Sequence, residues 1–328
     1  MNVSVIIPYW KREKQIELVL QSLAKQVPQG MQFEVLVCDS HSGDRVGDII
    51  RQAQSIYLNM TIRHLQSENI VAQKRNDGIR YASHELLIFL DDDCVPRPDY
   101  LQSVLSDLEK VDGGILCGEV RFPEDMVRVS NYYRYRDSKH PKFLDAPFCA
   151  LDQWSFVSMN MVVRKADLAE AKLFYDERFI GYGCEDHEFP WRLLKGGLPI
   201  RMGSFCIDHH EYDGDITKYK RKIFCTARDG MYMLANIAPE IVKSHKKLAW
   251  IESIYYKKTL LASVARMGVA IVFNTHVSRL IEVVLKKTDG QRSLYCPKLY
   301  RYVLLSDYLA GVRSRDGRLK VAGRGWYD

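Results

Sequence analysis

The chain has 328 residues, 47% of them hydrophobic and 27% charged, which is typical of a folded protein with one large or two medium-sized domains. We recognise no secretory leader at the N-terminus, and the eight cysteines occur without a CxxC pair. These features favour a reduced cytoplasmic protein over a secreted or zinc-binding one. The most apolar later stretch, 259–285, is interrupted by Arg266, His276, Arg279 and Glu282, so we expect it not to span a membrane.

The net charge of +6 is distributed unevenly. Residues 1–215 contain 25 Lys and Arg against 33 Asp and Glu, a balance of −8, whereas residues 216–328 contain 22 against 8, a balance of +14. This asymmetry predicts an acidic body, a basic C-terminal region and a boundary near residue 215. Anionic membrane surfaces and acidic glycans are the partners that we expect for the basic region. We expect no nucleic acid, because no groove-reading helix or RNA-binding signature accompanies the charge.

Short runs rich in Val, Ile, Leu and Phe alternate with helical patterns through the first hundred residues. The predicted strands are 3–8, 33–39, 60–65 and 86–91, and the predicted helices between them are 11–26, 44–57 and 70–82. This order predicts an α/β fold with a mostly parallel sheet covered by helices.

The pattern becomes less regular after residue 114. We predict strands at 114–120 and 156–164, with an irregular aromatic-rich stretch at 132–148 between them. A helix at 185–195 and a strand at 199–210, which ends in two histidines, complete the body. Beyond residue 216, apolar residues at spacings of three and four predict helices.

Several candidate residues lie at the carboxyl ends of the predicted strands. Ligands of open α/β sheets bind at this edge. Pro8 and Asp39 follow two strands, and Asp91, Asp92 and Asp93 follow another. Three adjacent carboxylates repel one another, and Asp91 and Asp93 have the DxD spacing that suits Mg²⁺ or Mn²⁺ bound to a diphosphate. The alternative is a polar turn in which Asp93 caps a helix that begins near residue 98.

Five segments in order resemble glycosyltransferase family 2, whose members are inverting enzymes of GT-A fold that use nucleotide sugars. They are "VSVIIPYWKRE", "VLVCDSHSGD", "NIVAQKRNDGI", "FLDDDCVPRPDYL" and "FIGYGCEDHEFPWRL". The last is similar to the GxGGED-type segment of galactosyl- and N-acetylgalactosaminyl-transferases. Two differences bear on donor and acceptor preference: Cys184 replaces the usual second glycine, and "DSHSGD" replaces a DDGS-like run.

The resemblance implies a donor site at the carboxyl edge of the sheet. It assigns Asp91, Asp93 and His209 to Mn²⁺ or Mg²⁺, with His210 as the alternative histidine. Asp91 and Asp92 would also contact the donor.

Three further residues are candidates for the donor site. Asp39 would accept a hydrogen bond from uracil N3–H or a ribose hydroxyl. Pro8 would line the site or only end its strand. Arg75 would contact the base or the diphosphate at a helix start, and we expect the neighbouring Lys74 to be solvated.

The acidic pair Glu185 and Asp186 is the catalytic candidate. Transfer from an activated donor needs a base that removes the proton of the attacking hydroxyl. The resemblance implies that Asp186 is this base and that Glu185 holds the acceptor, although adjacent carboxylates can exchange roles. The alternative is an acidic first helical turn that complements the helix dipole. A flexible "GYG" segment at 181–183 precedes the pair.

Two further residues are candidates for the acceptor site. Trp154 would stack on a pyranose face, and Asn160 occupies a place where the family often has an asparagine near the sugar. Either residue could instead belong to the core, and for Trp191 we expect the core.

These features predict a metal-dependent inverting hexosyl- or N-acetylhexosaminyl-transferase. Its donor would be a nucleotide sugar, with UDP as the expected nucleotide, and its acceptor a glycan or lipid-linked glycan in polysaccharide or glycoconjugate synthesis. We expect it in the cytoplasm, peripherally on the membrane. A sugar-phosphate nucleotidyltransferase is an alternative, but no Gly-rich loop follows the first strand. A non-catalytic nucleotide- or glycan-binding protein is the other alternative, and the missing GxGxxG disfavours a dehydrogenase.

Overall fold

The computed structural model describes residues 2–43, 45–140, 146–170 and 174–315, without the side chain of residue 170. The segment "DSHSGD", the aromatic-rich stretch 132–148 and the basic C-terminal region therefore fall partly outside the described residues. These residues contain eight strands: β1 (Val3–Tyr9), β2 (Phe33–Asp39), β3 (Thr61–Gln66), β4 (Leu86–Leu90), β5 (Cys94–Pro96), β6 (Ile115–Arg121), β7 (Asn160–Arg164) and β8 (Ile200–His209).

The eight strands form one sheet in the order β3-β2-β1-β4-β7-β6-β8-β5. β1 runs parallel to β2 and β4, β2 to β3, and β6 to β8. β7 is antiparallel to β4 and β6, and β5 is antiparallel to β8. The predicted mostly parallel sheet is confirmed, with β7 and β5 as its antiparallel members. The carboxyl ends of β1 and β2 are level, since Tyr9 lies opposite Asp39.

The helices of the body are α1 (Glu13–Ala24), α2 (Val46–Ile56), α3 (Val71–Tyr81), α4 (Tyr100–Leu108), α5 (Glu124–Val129), α6 (Asn131–Asp137), α7 (Lys165–Glu170) and α8 (Glu185–Lys195). Those after residue 215 are α9 (Ile216–Cys225), α10 (Met231–Ile237), α11 (Pro239–Ser244), α12 (Lys246–Tyr256), α13 (Leu260–Val272), α14 (Thr275–Lys287) and α15 (Pro297–Arg313). A π-helical turn (Thr226–Gly230) joins α9 to α10, and a 3-10 turn (Arg292–Leu294) precedes α15.

The strand side chains alternate between two apolar layers. Val5 and Ile7 of β1 face a cluster that contains α1, α2 and α4. Ile6 faces the opposite cluster, to which α3 and α8 contribute. Both faces of the sheet are covered, which explains why its central strands are apolar at nearly every position.

The helices after residue 215 pack on the body through two clusters. In one, Tyr300 and Val303 of α15 join Phe122 and Tyr132. In the other, Leu234 of α10 joins residues that precede α8, among them Cys184. The predicted helical C-terminal region is therefore observed in contact with the body, and a boundary at residue 215 stays a prediction.

Two segments differ from the sequence-based expectations. The stretch 132–148 was expected to be irregular, but its first residues belong to α6. Ser130 caps this helix by accepting a hydrogen bond from the Tyr133 amide. Its tyrosines are buried against the C-terminal helices, which the local sequence could not reveal. The strand expected at 156–164 begins only at Asn160.

Candidate active site

Asp39 ends β2 as a buried carboxylate. It accepts hydrogen bonds from the Ser42 amide and from His64 Nε2, both at 3.3 Å. Burial acts to raise the pKa of Asp39, but the hydrogen bonds of His64 and Ser42 outweigh it and lower the pKa. An ionised hydrogen-bond acceptor is thus held beside the end of β1, as a ribose or base contact requires.

The three aspartates after β4 contact two different arginines. Asp91 faces Arg75, whose Nη2 is 3.3 Å from Oδ1. Asp92 accepts hydrogen bonds from the Trp10 amide at 2.8 Å and from Arg12 Nη1 at 2.6 Å. The guanidinium groups of Arg12 and Arg75 therefore offset part of the repulsion among the adjacent carboxylates.

Asp93 lies between two cationic or potentially cationic groups. Arg12 Nη1 is 2.9 Å from Asp93 Oδ2, and His209 Nε2 is 3.2 Å from the same oxygen. Burial acts to raise the pKa of Asp93, but Arg12 and His209 hold it well below its usual range. For Asp92, burial prevails over Arg12 and raises the pKa to about 6. Asp93 therefore does not cap α4, whose N-cap residue is Asp99.

Arg12 was missed as a site residue in the sequence. The run "WKREK" after β1 showed positive charge, but its contact with residues 80 positions away depends on the parallel pairing of β1 with β4. Lys74 was assigned wrongly to solvent. Its ammonium is buried and donates to the Tyr9 carbonyl at 2.7 Å, and burial lowers the pKa of Lys74 to about 8.

Glu185 and Asp186 begin α8, directly after Cys184 in a left-handed conformation (φ 77°). Arg75 Nη1 is 3.1 Å from Glu185 Oε1, so this one guanidinium joins Glu185 to Asp91. Burial, with the charge of Asp186, raises the pKa of Glu185 to about 7 in spite of Arg75. Glu185 is therefore able to hold its proton up to near-neutral pH.

Asp91 and Asp92 after β4 and the acidic pair at the start of α8 line one cavity of about 440 Å³. Of the residues predicted from the sequence, Pro8, Arg75, Asp91, Asp92, Glu185 and Asp186 line it. Asp39, Asp93 and His209 are buried outside this lining, and Asp93 and His209 are in contact with each other. A separate cavity of about 590 Å³, lined by Arg97 and Arg121 among others, contains none of these candidates.

The C-terminal helices supply part of the cavity wall. Tyr219, Lys222 and Thr226 line it, although they follow residue 215. Lys222 and Arg136 each lie 2.8 Å from a carboxylate oxygen of Glu211. No local pattern marks this group, because its members are far apart along the chain.

Glu185, expected to hold the acceptor, lines the cavity, but the two further acceptor candidates lie apart from the lining. Asn160 is fully buried, accepts from Tyr100 Oη and donates to the Glu119 carbonyl, both at 2.9 Å. Trp154 packs against His187, with ring centroids 4.8 Å apart, and His187 itself lines the cavity. The acceptor roles of Asn160 and Trp154 stay predictions.

Two other predicted residues occupy surface or intermediate positions. His210 contacts the Tyr212 hydroxyl, and its amide donates to the Asp93 carbonyl at 2.7 Å. Trp191 is half-buried beside Lys195, so the expected core position is met only in part.

The metal-ligand candidates fit the chemistry of Mn²⁺ or Mg²⁺ in part. Asp91 and Asp93 offer hard oxygen ligands, and His209 Nδ1 is buried with no hydrogen-bond partner among the described residues. Within the described ranges, no group of three His, Cys, Asp or Glu side chains is already assembled for a metal ion. Arg12 instead contacts both Asp92 and Asp93.

Comparison with known proteins agrees with this geometry. The sequence model of the family described as "Glycosyl transferase family 2" matches residues 4–171. Validoxylamine A glucosyltransferase of Streptomyces hygroscopicus subsp. limoneus is 31% identical over 227 residues, which are 61% of this chain and 49% of that protein. The chain thus spans about half the length of this curated relative.

Two solved structures share the fold at low identity. S. aureus TarS 1-349 in complex with UDP-GlcNAc has a TM-score of 0.54 at 17% identity, over 99% of this chain and 95% of that chain. Mannosyltransferase PcManGT from Pyrobaculum calidifontis, in complex with GDP-Man and Mn²⁺, has a TM-score of 0.57 at 17% identity, over 97% and 88%. The expected GT-A fold is confirmed, and because the family match covers more than half of the sequence, this chain belongs to glycosyltransferase family 2.

Proposed function

We propose that this protein is an inverting glycosyltransferase that moves a hexose or N-acetylhexosamine from a UDP-sugar to a glycan or lipid-linked glycan. The observation that carries the proposal is the bridge made by Arg75, which joins the strand-edge carboxylate Asp91 to Glu185 across one cavity. A donor diphosphate and an acceptor hydroxyl would need to meet in such a place. The UDP-GlcNAc complex of TarS supports UDP as the first nucleotide to test.

The proposed reaction is a single in-line displacement. Asp186 takes the proton of the acceptor hydroxyl as its oxygen forms a bond to the anomeric carbon, and the bond to the nucleoside diphosphate breaks. Glu185 orients the acceptor by hydrogen bonding and is itself held by Arg75. The segment "FIGYGCEDHEFPWRL" supports this assignment through its likeness to the GxGGED type.

Cationic side chains are available for the departing diphosphate. Lys74 and Arg75 line the cavity, and Arg12 lies there beside Asp92. Arg75 Nε is buried without a hydrogen-bond partner among the described residues and is thus a spare donor. Together these groups would bind the diphosphate and orient it for departure.

Asp91, Asp93 and His209 are the residues that we propose for Mn²⁺ or Mg²⁺. When bound, the cation would supply positive charge to the leaving group. The buried Nδ1 of His209, which has no hydrogen-bond partner among the described residues, supports this ligand set. The proposed site of action is the cytoplasmic side of a membrane, in polysaccharide or glycoconjugate synthesis.

Thermal unfolding with UDP, GDP, dTDP and CMP, each with and without Mn²⁺, tests the donor and the cation. A ligand at 100 times its Kd stabilises the folded state by roughly 2.7 kcal/mol. We expect UDP with Mn²⁺ to give the largest increase in melting temperature. A larger effect of GDP would replace the donor but keep the reaction, whereas no effect of any nucleotide would contradict a nucleotide-sugar site.

Turnover separates this proposal from its alternatives. Each UDP-sugar is offered with a panel of glycan acceptors, and UDP release is measured. Asp186→Asn should keep the nucleotide-induced stabilisation and lower turnover by ~10²–10⁴-fold. Pyrophosphate release from UTP and a sugar phosphate would instead identify a nucleotidyltransferase, and binding without any turnover would identify a binding protein.

A further inference from the structure

Helix α13 exposes its apolar side. Leu260, Val264, Met267 and Ile271 follow one another at spacings of three and four residues, and all of them are exposed. Ile271 is 70% exposed and Leu260 is 83% exposed. A helix on the surface of a folded domain normally places such a stripe against the core.

Helix α14 also exposes apolar residues. Val277, Leu280, Val283 and Val284 are exposed there, and Leu280 is 69% exposed. We call the exposed apolar residues of the two helices the α13–α14 face; it comprises Leu260, Leu261, Val264, Met267, Ile271, Val272, Val277, Leu280, Val283 and Val284. Exposed apolar surface on this scale indicates a protein or membrane partner.

Contacts with neighbouring C-terminal helices hold α13 in place. Arg266 Nη1, from the middle of α13, donates to the carbonyls of Ile254 and Lys257 at 2.8 and 3.1 Å at the end of α12. At the C-terminal end of α13, Tyr302 Oη of α15 donates to the Val272 carbonyl at 2.8 Å. Since α13 is anchored at these two points, the outward apolar side is a property of the folded chain.

Basic residues lie on both flanks of the face. Residues 243–287 contain nine Lys and Arg against two Glu, a balance of +7. Lys257 and Lys258 directly precede α13, and Lys286 and Lys287 end α14. Two copies of the chain joined through this face would bring positive flanks together, whereas anionic lipid headgroups would neutralise them.

Within Leu260–Lys287, an 18-residue window with a mean hydropathy of 1.4 meets the length and composition of a membrane span. Composition alone therefore does not exclude a span, and the expectation that this stretch does not cross a membrane stays a prediction. Its geometry nevertheless favours a position on the membrane. The helix breaks at Phe273–Asn274, and the 13 residues of α13 extend about 20 Å, less than the ~30 Å hydrocarbon core. Glu282 of α14 is held by Lys220 of α9, with 2.6 Å between the ammonium and a carboxylate oxygen.

We propose that the α13–α14 face docks the protein onto an anionic lipid bilayer. The apolar residues enter the boundary between headgroups and acyl chains, and the flanking lysines contact the headgroups. An amphipathic helix that lies in the interface combines these two contributions to binding. The inference does not depend on the donor sugar or acceptor proposed above.

Flotation with phosphatidylcholine vesicles, with and without 30% phosphatidylglycerol, tests the proposal on the full chain. The double variant Val264→Asp/Ile271→Asp should lose binding to the anionic vesicles by roughly tenfold or more. The matched control is Leu58→Asp, because Leu58 is 86% exposed between α2 and β3, away from this face. The control should bind as the unaltered protein does, and UDP-induced stabilisation should persist in all three proteins.

Two further measurements complete the test. Lys257→Gln/Lys258→Gln should weaken binding to anionic vesicles, and added salt should weaken binding of the unaltered protein. Met267→Trp places an indole on the face, and its emission should shift to shorter wavelength with anionic vesicles. Equal binding of the Val264→Asp/Ile271→Asp and control proteins would overturn the proposal. So would an absence of vesicle binding with self-association that the double variant abolishes, which would assign the face to a second copy.

Discussion

At the residue scale, Glu185 contacts Arg75 on one side and neighbours Asp186 on the other, and its pKa is raised to about 7. In the unfolded chain the same carboxyl has a pKa near 4.5. Because the folded state holds this proton more tightly, the contribution of Glu185 to stability is complete below pH 4.5. It is lost as the pH rises through 7.

Glu185→Gln should therefore change the pH dependence of stability. Glutamine resembles the protonated carboxyl and does not titrate. As the pH rises from 4.5 to 8, the unfolding free energy of the variant should therefore increase by up to about 3 kcal/mol relative to that of the unaltered protein. Urea unfolding at several pH values measures this gain, with the exposed Glu68→Gln as the control. An equal difference between variant and unaltered protein at every pH would contradict the raised pKa.

Arg12 provides a second test at this scale, because it contacts both Asp92 and Asp93. Arg12→Ala leaves two buried carboxylates with less compensation and should lower the unfolding free energy by about 1–3 kcal/mol. The control Arg51→Ala removes an exposed pair with Asp48 and should cost less than ~1 kcal/mol.

Mn²⁺ extends the Arg12 test. If Asp93 belongs to a cation site, the added metal should stabilise Arg12→Ala more than the unaltered protein, since one cation replaces another. Thermal unfolding with and without Mn²⁺ measures the difference. Equal stabilisation of both proteins would place the metal away from Asp93.

The residue scale was also where sequence reasoning was least complete. Asp91, Asp92, Glu185 and Asp186 could be chosen because acidic clusters at the end of a strand or the start of a helix are visible locally. The burial of Lys74 and the position of Arg12 depend on how β1, β4 and α3 come together in space. Such contacts leave no periodic signal in the sequence.

At the scale of elements, the first half of the sheet followed from alternating strands and helices with ends accurate to a few residues. The register of β1 on β2 explains why Asp39 lies level with the end of β1. Helix α6 was missed, because its tyrosines are stabilised by contacts with α15 and not by an amphipathic pattern of their own.

The packing of α3 on β1 gives an element-scale prediction. A Cβ added at Gly78 would lie 2.2 Å from Ile6 Cγ2, so Gly78→Ala should cost roughly 1–3 kcal/mol in spite of the better helix propensity of alanine. In α13, Gly268 has open space, and Gly268→Ala should be stabilising by up to ~1 kcal/mol.

Ile6→Ala tests the cause of this difference. It removes the methyl groups that crowd residue 78, so Gly78→Ala should cost less in the Ile6→Ala background than in the unaltered protein. A double-mutant cycle by urea unfolding measures this coupling. Additive costs would show that the Gly78→Ala effect has another origin.

At the scale of the whole molecule, the predicted boundary near residue 215 marks a change of charge and composition. Across that position, Cys184 shares a cluster with Leu234, and Tyr132 shares one with Tyr300. Residues on both sides also line the 440 Å³ cavity. Composition indicated where the helical region begins, but only tertiary contacts show how closely it adjoins the candidate site.

We therefore expect one cooperative unfolding transition for the full chain. A fragment of residues 1–215 should be aggregation-prone or lack stable tertiary structure, because it exposes both clusters to water. Guanidinium unfolding followed by fluorescence and circular dichroism tests the first expectation, and expression of the fragment tests the second. A fragment that folds and binds UDP would establish residue 215 as the boundary of an independent domain.

The loop before the acidic pair has a consequence for the thermodynamics of acceptor binding. A Cβ at Gly230 would lie 2.4 Å from the Gly183 carbonyl oxygen, so the π-helical turn supports the segment "GYG" that the sequence suggested was flexible. The conformational entropy of this loop is therefore lost when the chain folds and not when the acceptor arrives. Calorimetry should then record an acceptor heat-capacity change no larger than the burial of the ligand itself requires, and a binding enthalpy that varies correspondingly little with temperature.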